Sequence, residues 1–249
     1  MDKSKLITYK IFEPYNQIVA FTTTKRTLEH SAPRFTGDSP YMYSSNRISL
    51  SEILGIESDK LVFPRQTHSC TIKNVVEVPK TEFAETDALI TSEKGICICI
   101  QTADCVPVIL YDPQKHVAAA IHAGWRGTVG KIVQHAVNKL VAEFGTLPKN
   151  IIAAIGPSIC SEIYEIGGEV ADEVSRSLPF AEKVLKMGSK EKFHFNLWEA
   201  NRMLLINSGL HAGNIEILAK CSFLEKSLYF SARRDGSETG RMVSGIMLS

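Results

Sequence analysis

No apolar run in this 249-residue chain approaches the roughly 20 residues needed to cross a bilayer. Charge of one sign is also lacking. The 28 Lys and Arg face 27 Asp and Glu, for a net charge of +1. Nothing in that balance draws the chain to nucleic acid or to an anionic membrane. There is no internal repeat and no low-complexity tract. The first residues, MDKSKLITYKIFEPYNQ, lack the unbroken apolar core of a secretion signal. The expected location is the cytoplasm. Cys70, Cys97, Cys99, Cys105, Cys160 and Cys221 are then expected to be thiols, metal ligands or catalysts rather than disulfide partners. The glycines follow neither the Walker pattern nor GxGxxG, so a nucleoside triphosphate or dinucleotide is not indicated.

What the sequence does contain is an ordinary globular composition, with 44% hydrophobic and 22% charged residues. Its length suits one domain with a sizeable core, spanning residues 1–249. Residues 18–23 read as a strand and 24–45, rich in Thr, Ser and Pro, as a long loop. A short helix over 46–54 ends at Gly55. Short strands are expected over 61–66, 71–76 and 87–91. Residues 95–100 (GICICI) alternate Cys with Ile, so both thiols share one face. Strands over 106–111 and 117–122 follow, with a turn at Asp112-Pro113, and the three runs suit one antiparallel or mixed sheet. Ile132, Val133, Ala136, Val137, Leu140, Val141 and Phe144 recur at helical spacing and stop at Gly145. A buried strand over 151–155 and helices over 169–178 and from Asn196 to Gly209 come next. Strands over 215–218 and 228–231 close the sheet. The class expected is α/β, a single-domain sandwich with mixed β-sheets and flanking helices.

Three element ends carry metal-binding side chains. His68 follows LVFPRQ, Cys105 follows GICICIQTAD, and His122 ends VAAAIH. A Cys/His/His set leaves one tetrahedral position open, as a catalytic zinc requires. Imidazole and thiolate suit zinc or copper, not magnesium or calcium. The spacing matches no known metal pattern, and by spacing alone the plainer reading leads: two hydrogen-bonded rim histidines and a small core cysteine. Asp104 lies beside Cys105 and either orients a ligand histidine or caps a turn. Gly124-Trp125-Arg126-Gly127-Thr128 opens the long helix. Its free N–H groups, its glycines and the Arg126 fork suit an anion, though a plain strand-to-helix turn reads equally well. The run FSARRDGSETGRM (230–242) is a basic loop over an anionic group or a solvated turn.

Taken in order, RQTH (65–68), DALIT (87–91), TADCVPVILYDP (102–113), IHAGWRGT (121–128), IGPSIC (155–160), YEIG (164–167) and FSARRDGSETGRM (230–242) resemble the signature of the YfiH-like laccase-domain family. That family was named for a polyphenol oxidase, and its members are described as purine nucleoside phosphorylases. The resemblance spans about residues 46–249. It implies a sandwich of sheets in one α/β domain. It implies a metal site on His68, Cys105 and His122, with zinc the usual metal and copper possible for the oxidase activity. It implies adenosine, inosine or 5′-methylthioadenosine with phosphate as substrates, and adenosine deamination. One departure is the absence of a Gly-Gly pair after the first strand, where only Gly37 is available. Asn46-Arg47 matches the pair that follows in the family.

On this reading phosphate is held at Gly124, Arg126 and Gly127, with Arg47 as a further candidate. Asp104 is the candidate general acid. The rivals are a metal-free thiol enzyme with Cys105 as nucleophile and His122 as base, a copper-dependent polyphenol oxidase, and a non-enzymatic binder. Seven histidines are few for a multicopper centre. The expected partners are a purine nucleoside and phosphate, with no nucleic acid and no membrane; a homodimer is allowed.

Overall fold

The computed structural model describes residues 3–37, 41, 43–189 and 191–249. Its strands are β1 (Leu6–Ile7), β2 (Ile18–Thr23), β3 (Leu61–Val62), β4 (Ile72–Asn74), β5 (Ala88–Thr91), β6 (Cys97–Thr102), β7 (Val106–Asp112), β8 (Val117–Ala123), β9 (Ile152–Ile155), β10 (Glu165–Ile166), β11 (Leu185–Met187), β12 (Phe193–Phe195), β13 (Ile215–Ile217) and β14 (Met242–Leu248). Its α-helices are α1 (Ser44–Leu54), α2 (Trp125–Val129), α3 (Ile132–Phe144), α4 (Gly168–Ser177), α5 (Ala181–Val184), α6 (Leu197–Asn207) and α7 (Ala232–Asp235).

Two mixed sheets stack face to face. One runs β1-β2-β14-β6-β3 and the other β13-β9-β7-β8-β5-β4. Between them Ile98, Ile100, Ile246 and Leu248 meet Leu89, Ile109, Tyr111, Ala118 and Ala120. Helices α3 and α6 cover the other face of the six-stranded sheet, setting Ile132, Val133, Ala136, Val137, Leu204 and Leu205 on Val108, Leu110, Ala119 and Ile121. Helix α1 covers the outer face of the five-stranded sheet through Leu50 and Leu54. This layering explains why β7 and β8 are buried at every position. A strand covered on both faces reads as a continuous apolar run. The alternation in β6 has the same cause: Cys97 and Cys99 point towards α1, Ile98 and Ile100 into the space between sheets.

The α/β sandwich matches the expected class. Four expectations need correction. First, β6 does not share a sheet with β7 and β8. It pairs with β14 and β3, whereas β7 and β8 pair with each other. Ala103–Cys105 is the crossing from one sheet to the other, and Asp104 turns it at φ 96°. Second, the last strand is β14, inserted between β2 and β6. Residues 228–231 are not a strand. Arg234 Nη2 donates to Tyr229 O there, and Nη1 to Ser222 O and Phe223 O, so a guanidinium replaces the ladder. Third, the long helix is two helices, broken where Gly130 passes against the Cys70 thiol and Lys131 turns left-handed at φ 60°. Fourth, residues 165–195 carry a small sheet, β10-β12-β11, that no alternation announced. The strands expected over 61–66 and 71–76 are shorter, β3 and β4.

Candidate metal centre and substrate cavity

The crossing at Ala103–Cys105 sets Cys105 at the mouth between the two sheets, just before β7. His122 is next to the end of β8, and Pro107 of β7 lies opposite it. His68 comes from the loop joining β3 to β4. The donor atoms of His68, Cys105 and His122 all lie within 4.8 Å of one another. Cys105 Sγ is 3.7 Å from His68 Nε2, and the two imidazole centroids are 4.9 Å apart. His122 is buried, Cys105 half-buried and His68 exposed. The three residues singled out in the sequence are brought together.

One buried carboxylate organises both histidines. Asp87 Oδ1 accepts from His122 Nδ1 at 2.7 Å and from the His68 N–H at 3.0 Å. Its Oδ2 accepts from the N–H groups of Thr67 and Ser69 and from Ser69 Oγ. These bonds hold His68 in a left-handed backbone, φ 61°, a conformation that costs about 1–3 kcal/mol for a non-glycine residue. Burial alone would raise the Asp87 carboxyl; the bonds and charge of His122 and the bonds from Ser69 instead bring it down to about 2. An ionised Asp87 only accepts, so the His122 proton sits on Nδ1 and Nε2 is left to face the trio. Burial opposes charge on His122, but the Cys105 thiolate and Asp87 raise it to about 9. Burial likewise opposes the Cys105 thiolate, but His122 and His68 bring the thiol down to about 6.

The donor set fits a soft divalent metal. An ion at the trio would displace the proton that the raised His122 holds on Nε2, leaving a thiolate and an imidazole anchored through Nδ1, the states such an ion binds. Gly124 adds a second mark of fit. A Cβ there would lie 3.0 Å from both Cys105 Sγ and His68 Cδ2. The position stays bare beside the donors.

The trio forms one wall of a cavity of about 580 Å³, within the usual range for small-molecule sites. Tyr164, Asp104, Arg34, Arg233 and Arg241 form other parts of the wall. Asp104 does not orient a ligand histidine; Asp87 does. Ser222 Oγ and the Arg233 N–H donate to the two Asp104 oxygens at 2.6 and 2.7 Å, and the Ile159 N–H donates to its carbonyl. Asp104 therefore ties two loops and the start of α7 around the cavity, and with both carboxylate oxygens engaged it is poorly free to act as the acid.

The expected phosphate residues are placed differently. Arg47 pairs with Glu82, donates to Phe35 O and lines a separate cavity. Arg126 stacks on Trp125 in an open groove beside Glu169 and Glu173. Gly127 packs under Ile132 and the His122 carbonyl. Gly124 backs the metal donors, and the helix it opens has only five residues. None of the four lines the cavity. The basic C-terminal run does line it, through Arg233 and Arg241, and so does Arg34 of the 24–45 loop. Positions 38–40 and 42 of that loop lie outside the described residues. Asp87 and Arg34 were missed in the sequence. An acid directly before the buried run ALIT was a signal for the first; Arg34 carried none.

Residues 28–249 match a family described as multi-copper polyphenol oxidoreductase laccase. The chain is 34% identical to a purine nucleoside phosphorylase of Bacteroides thetaiotaomicron, over 98% of this chain and 96% of that one. It is 38% identical to adenosine deaminase RL5 from an unknown prokaryotic organism, over 85% and 84%. Among solved structures, YlmD from Geobacillus stearothermophilus superposes with a TM-score of 0.88 at 30% identity, covering 95% of this chain and 93% of that one.

Proposed function

This chain belongs to the multi-copper polyphenol oxidoreductase laccase family, and from that premise we propose that it is a zinc-dependent purine nucleoside phosphorylase that also deaminates adenosine. The observation that carries the reading is the convergence of His68, Cys105 and His122 on the wall of a nucleoside-sized cavity. Relatives named for both activities support it. Zinc held by His68, Cys105 and His122 would supply Lewis acidity.

In phosphorolysis a phosphate oxygen bonds to ribose C1′ as the C1′–N9 bond breaks. The electron pair leaves on N9, and the proton that phosphate loses balances the one the purine gains. In deamination, water adds at C6 of adenine and ammonia leaves. Asp87 keeps the His122 imidazole oriented and the His68 backbone in place through either reaction. Asp104 holds the loops bearing Ile159 and Ser222 and the helix bearing Arg233, and so keeps the cavity shaped for a near-attack geometry. The six cysteines are free thiols, in keeping with a cytoplasmic enzyme. No described helix is long and apolar enough to cross a membrane.

The test is metal content of the purified protein, with phosphate-dependent hypoxanthine release from inosine before and after chelation. Near-stoichiometric zinc and chelator-sensitive release are expected. Inosine left intact in zinc-loaded protein would sink the proposal.

A second reading draws on the line Asp87–His122–Cys105. A thiol brought down to about 6 beside an anchored imidazole also describes a nucleophile and its base. It requires activity untouched by chelator and lost on alkylation of Cys105. A multicopper oxidase needs ligands for several copper ions, and among the described residues His68, Cys105 and His122 form the single group of its kind.

A further inference from the structure

The cavity wall away from the metal donors carries more positive charge than its own carboxylates answer. Arg34 Nη2 and Arg241 Nη2 both donate to one acceptor, the Ser237 carbonyl, at 2.7 and 3.0 Å. Arg241 Nη1 donates to the carbonyls of Thr239 and Gly240. Among the described residues no carboxylate pairs with Arg241. Glu238 is 3.7 Å from Arg34, but its side chain is 94% exposed, where water screens it. Asp104 also faces this space, but both its oxygens already accept from Ser222 and Arg233. Burial and the charge of Arg34 both disfavour the Arg241 cation, against weaker support from Cys105, Glu238 and Asp104. Two guanidiniums sharing one neutral acceptor repel each other unless an anion joins them.

A second, independent observation lies in the wall of the same cavity. Thr102 is 1% exposed and lines the same cavity, yet its Oγ1 has no hydrogen-bond partner among the described residues. The ladder sets Thr102 opposite Met242, the residue after Arg241. A buried hydroxyl without a partner is unfavourable and marks a place where a ligand or water completes the bonding. Gln101 and Gln66 lock the edge: Gln101 Oε1 accepts from the Phe35 N–H, and Gln66 accepts from the Gln101 N–H. The loop bearing Arg34 is thereby fastened to β6.

We propose that Arg34, Arg241 and Thr102 form the oxyanion subsite that receives inorganic phosphate across the cavity from His68, Cys105 and His122. The inference rests on the phosphorylase reading for its ligand. A purine nucleoside is uncharged, so phosphate is the anionic reactant of that chemistry. Deamination uses water and does not need the subsite. Arginine forks bind phosphate bidentately, and Thr102 donates one further bond. The subsite therefore separates the two reactions.

The test uses zinc-loaded full-length protein and the variants Arg241→Gln, Arg241→Lys and Arg34→Gln. Calorimetry with inorganic phosphate gives binding without turnover. Inosine phosphorolysis gives the phosphate KM, and adenosine deamination is followed in parallel. Phosphate Kd and KM are expected to rise about tenfold or more in both Gln variants, the scale of a lost charge-assisted contact. Arg241→Lys is expected to recover part of the loss, and deamination is expected to fall far less than phosphorolysis. Phosphate binding lost in the variants, with wild type inert towards inosine, would uphold the subsite and overturn the phosphorylase reading. Wild type without measurable phosphate binding, or Gln variants with an unchanged phosphate KM, would overturn the subsite. So would an equal loss of both reactions, which a structural role predicts. Arg34→Gln sits on a loop, so the question survives even if Arg241→Gln fails to fold.

Discussion

Asp87 accepts the Nδ1–H of His122 at 2.7 Å from a fully buried position, and the same oxygen takes the backbone N–H of His68. One side chain outside the donor set thus fixes the His122 ring and the His68 backbone. Asp87→Asn keeps the shape but removes the charge and one acceptor. The amide nitrogen that this substitution introduces is a donor and cannot accept from Thr67 and Ser69. Asp87→Asn is expected to weaken zinc binding about 10–100-fold, the usual effect of losing such a partner. Competition with a chromophoric chelator measures it, and unchanged affinity would remove Asp87 from the centre.

Cys105→Ala removes the thiolate from a half-buried site at the head of β7, not from the core. Metal binding and both activities are expected to vanish while the far-UV spectrum and the cooperative melt persist. Activity retained by the metal-depleted variant would refute the assignment of Cys105 as a ligand. Activity of metal-depleted wild type, abolished by iodoacetamide, would instead support the nucleophile reading.

Gly124 has φ −70°, so its backbone tolerates any L-residue. Gly124→Ala is nonetheless expected to impair the centre, because its Cβ would reach 3.0 Å from Cys105 Sγ and His68 Cδ2. Overpacking of this kind costs about 1–3 kcal/mol. Metal affinity is expected to fall at least about tenfold, with a smaller change in melting temperature than a core substitution makes. Wild-type affinity in the variant would show that the donors shift freely.

Arg47 pairs with Glu82 and packs its guanidinium over Tyr43 and Phe63, 4.6 and 4.9 Å from the ring centroids. Its role is to hold α1 against the 78–82 loop, away from the cavity. Arg47→Ala is expected to lower stability by about 1–2 kcal/mol, the scale of a partly buried charge pair with cation–π packing, and to leave the phosphate KM within about twofold of wild type. Denaturant unfolding and steady-state kinetics check the two parts. A large rise in phosphate KM would return Arg47 to the substrate site.

Much of this architecture was written in local chemistry. Helical spacing from Ile132 to Phe144 and the stop at Gly145 follow from one apolar face and one left-handed cap. The Cys/Ile alternation of β6 follows from a strand between two different layers. His68, Cys105 and His122 stood out as a thiol and two imidazoles near expected strand ends; spacing alone favoured the plainer reading, and the family resemblance implied them as donors. Tertiary structure alone decided which strands are neighbours. Residues 97–123 look like one meander, yet Asp104 turns the chain from one sheet to the other, because a strand buried on both faces suits either sheet equally in pattern. Strand β14 is apolar in MVSGIML apart from Ser244 and Gly245, so its burial is legible; what local pattern does not give is its place between β2 and β6, where Gly245 lets Phe21 and Cys99 pack close. The anion wall joins Arg34 to Arg241, more than two hundred residues apart. Charges placed by such long-range packing leave no periodicity, and neither does a carboxylate such as Asp87, whose partners are the His122 ring, the Ser69 hydroxyl and three backbone N–H groups.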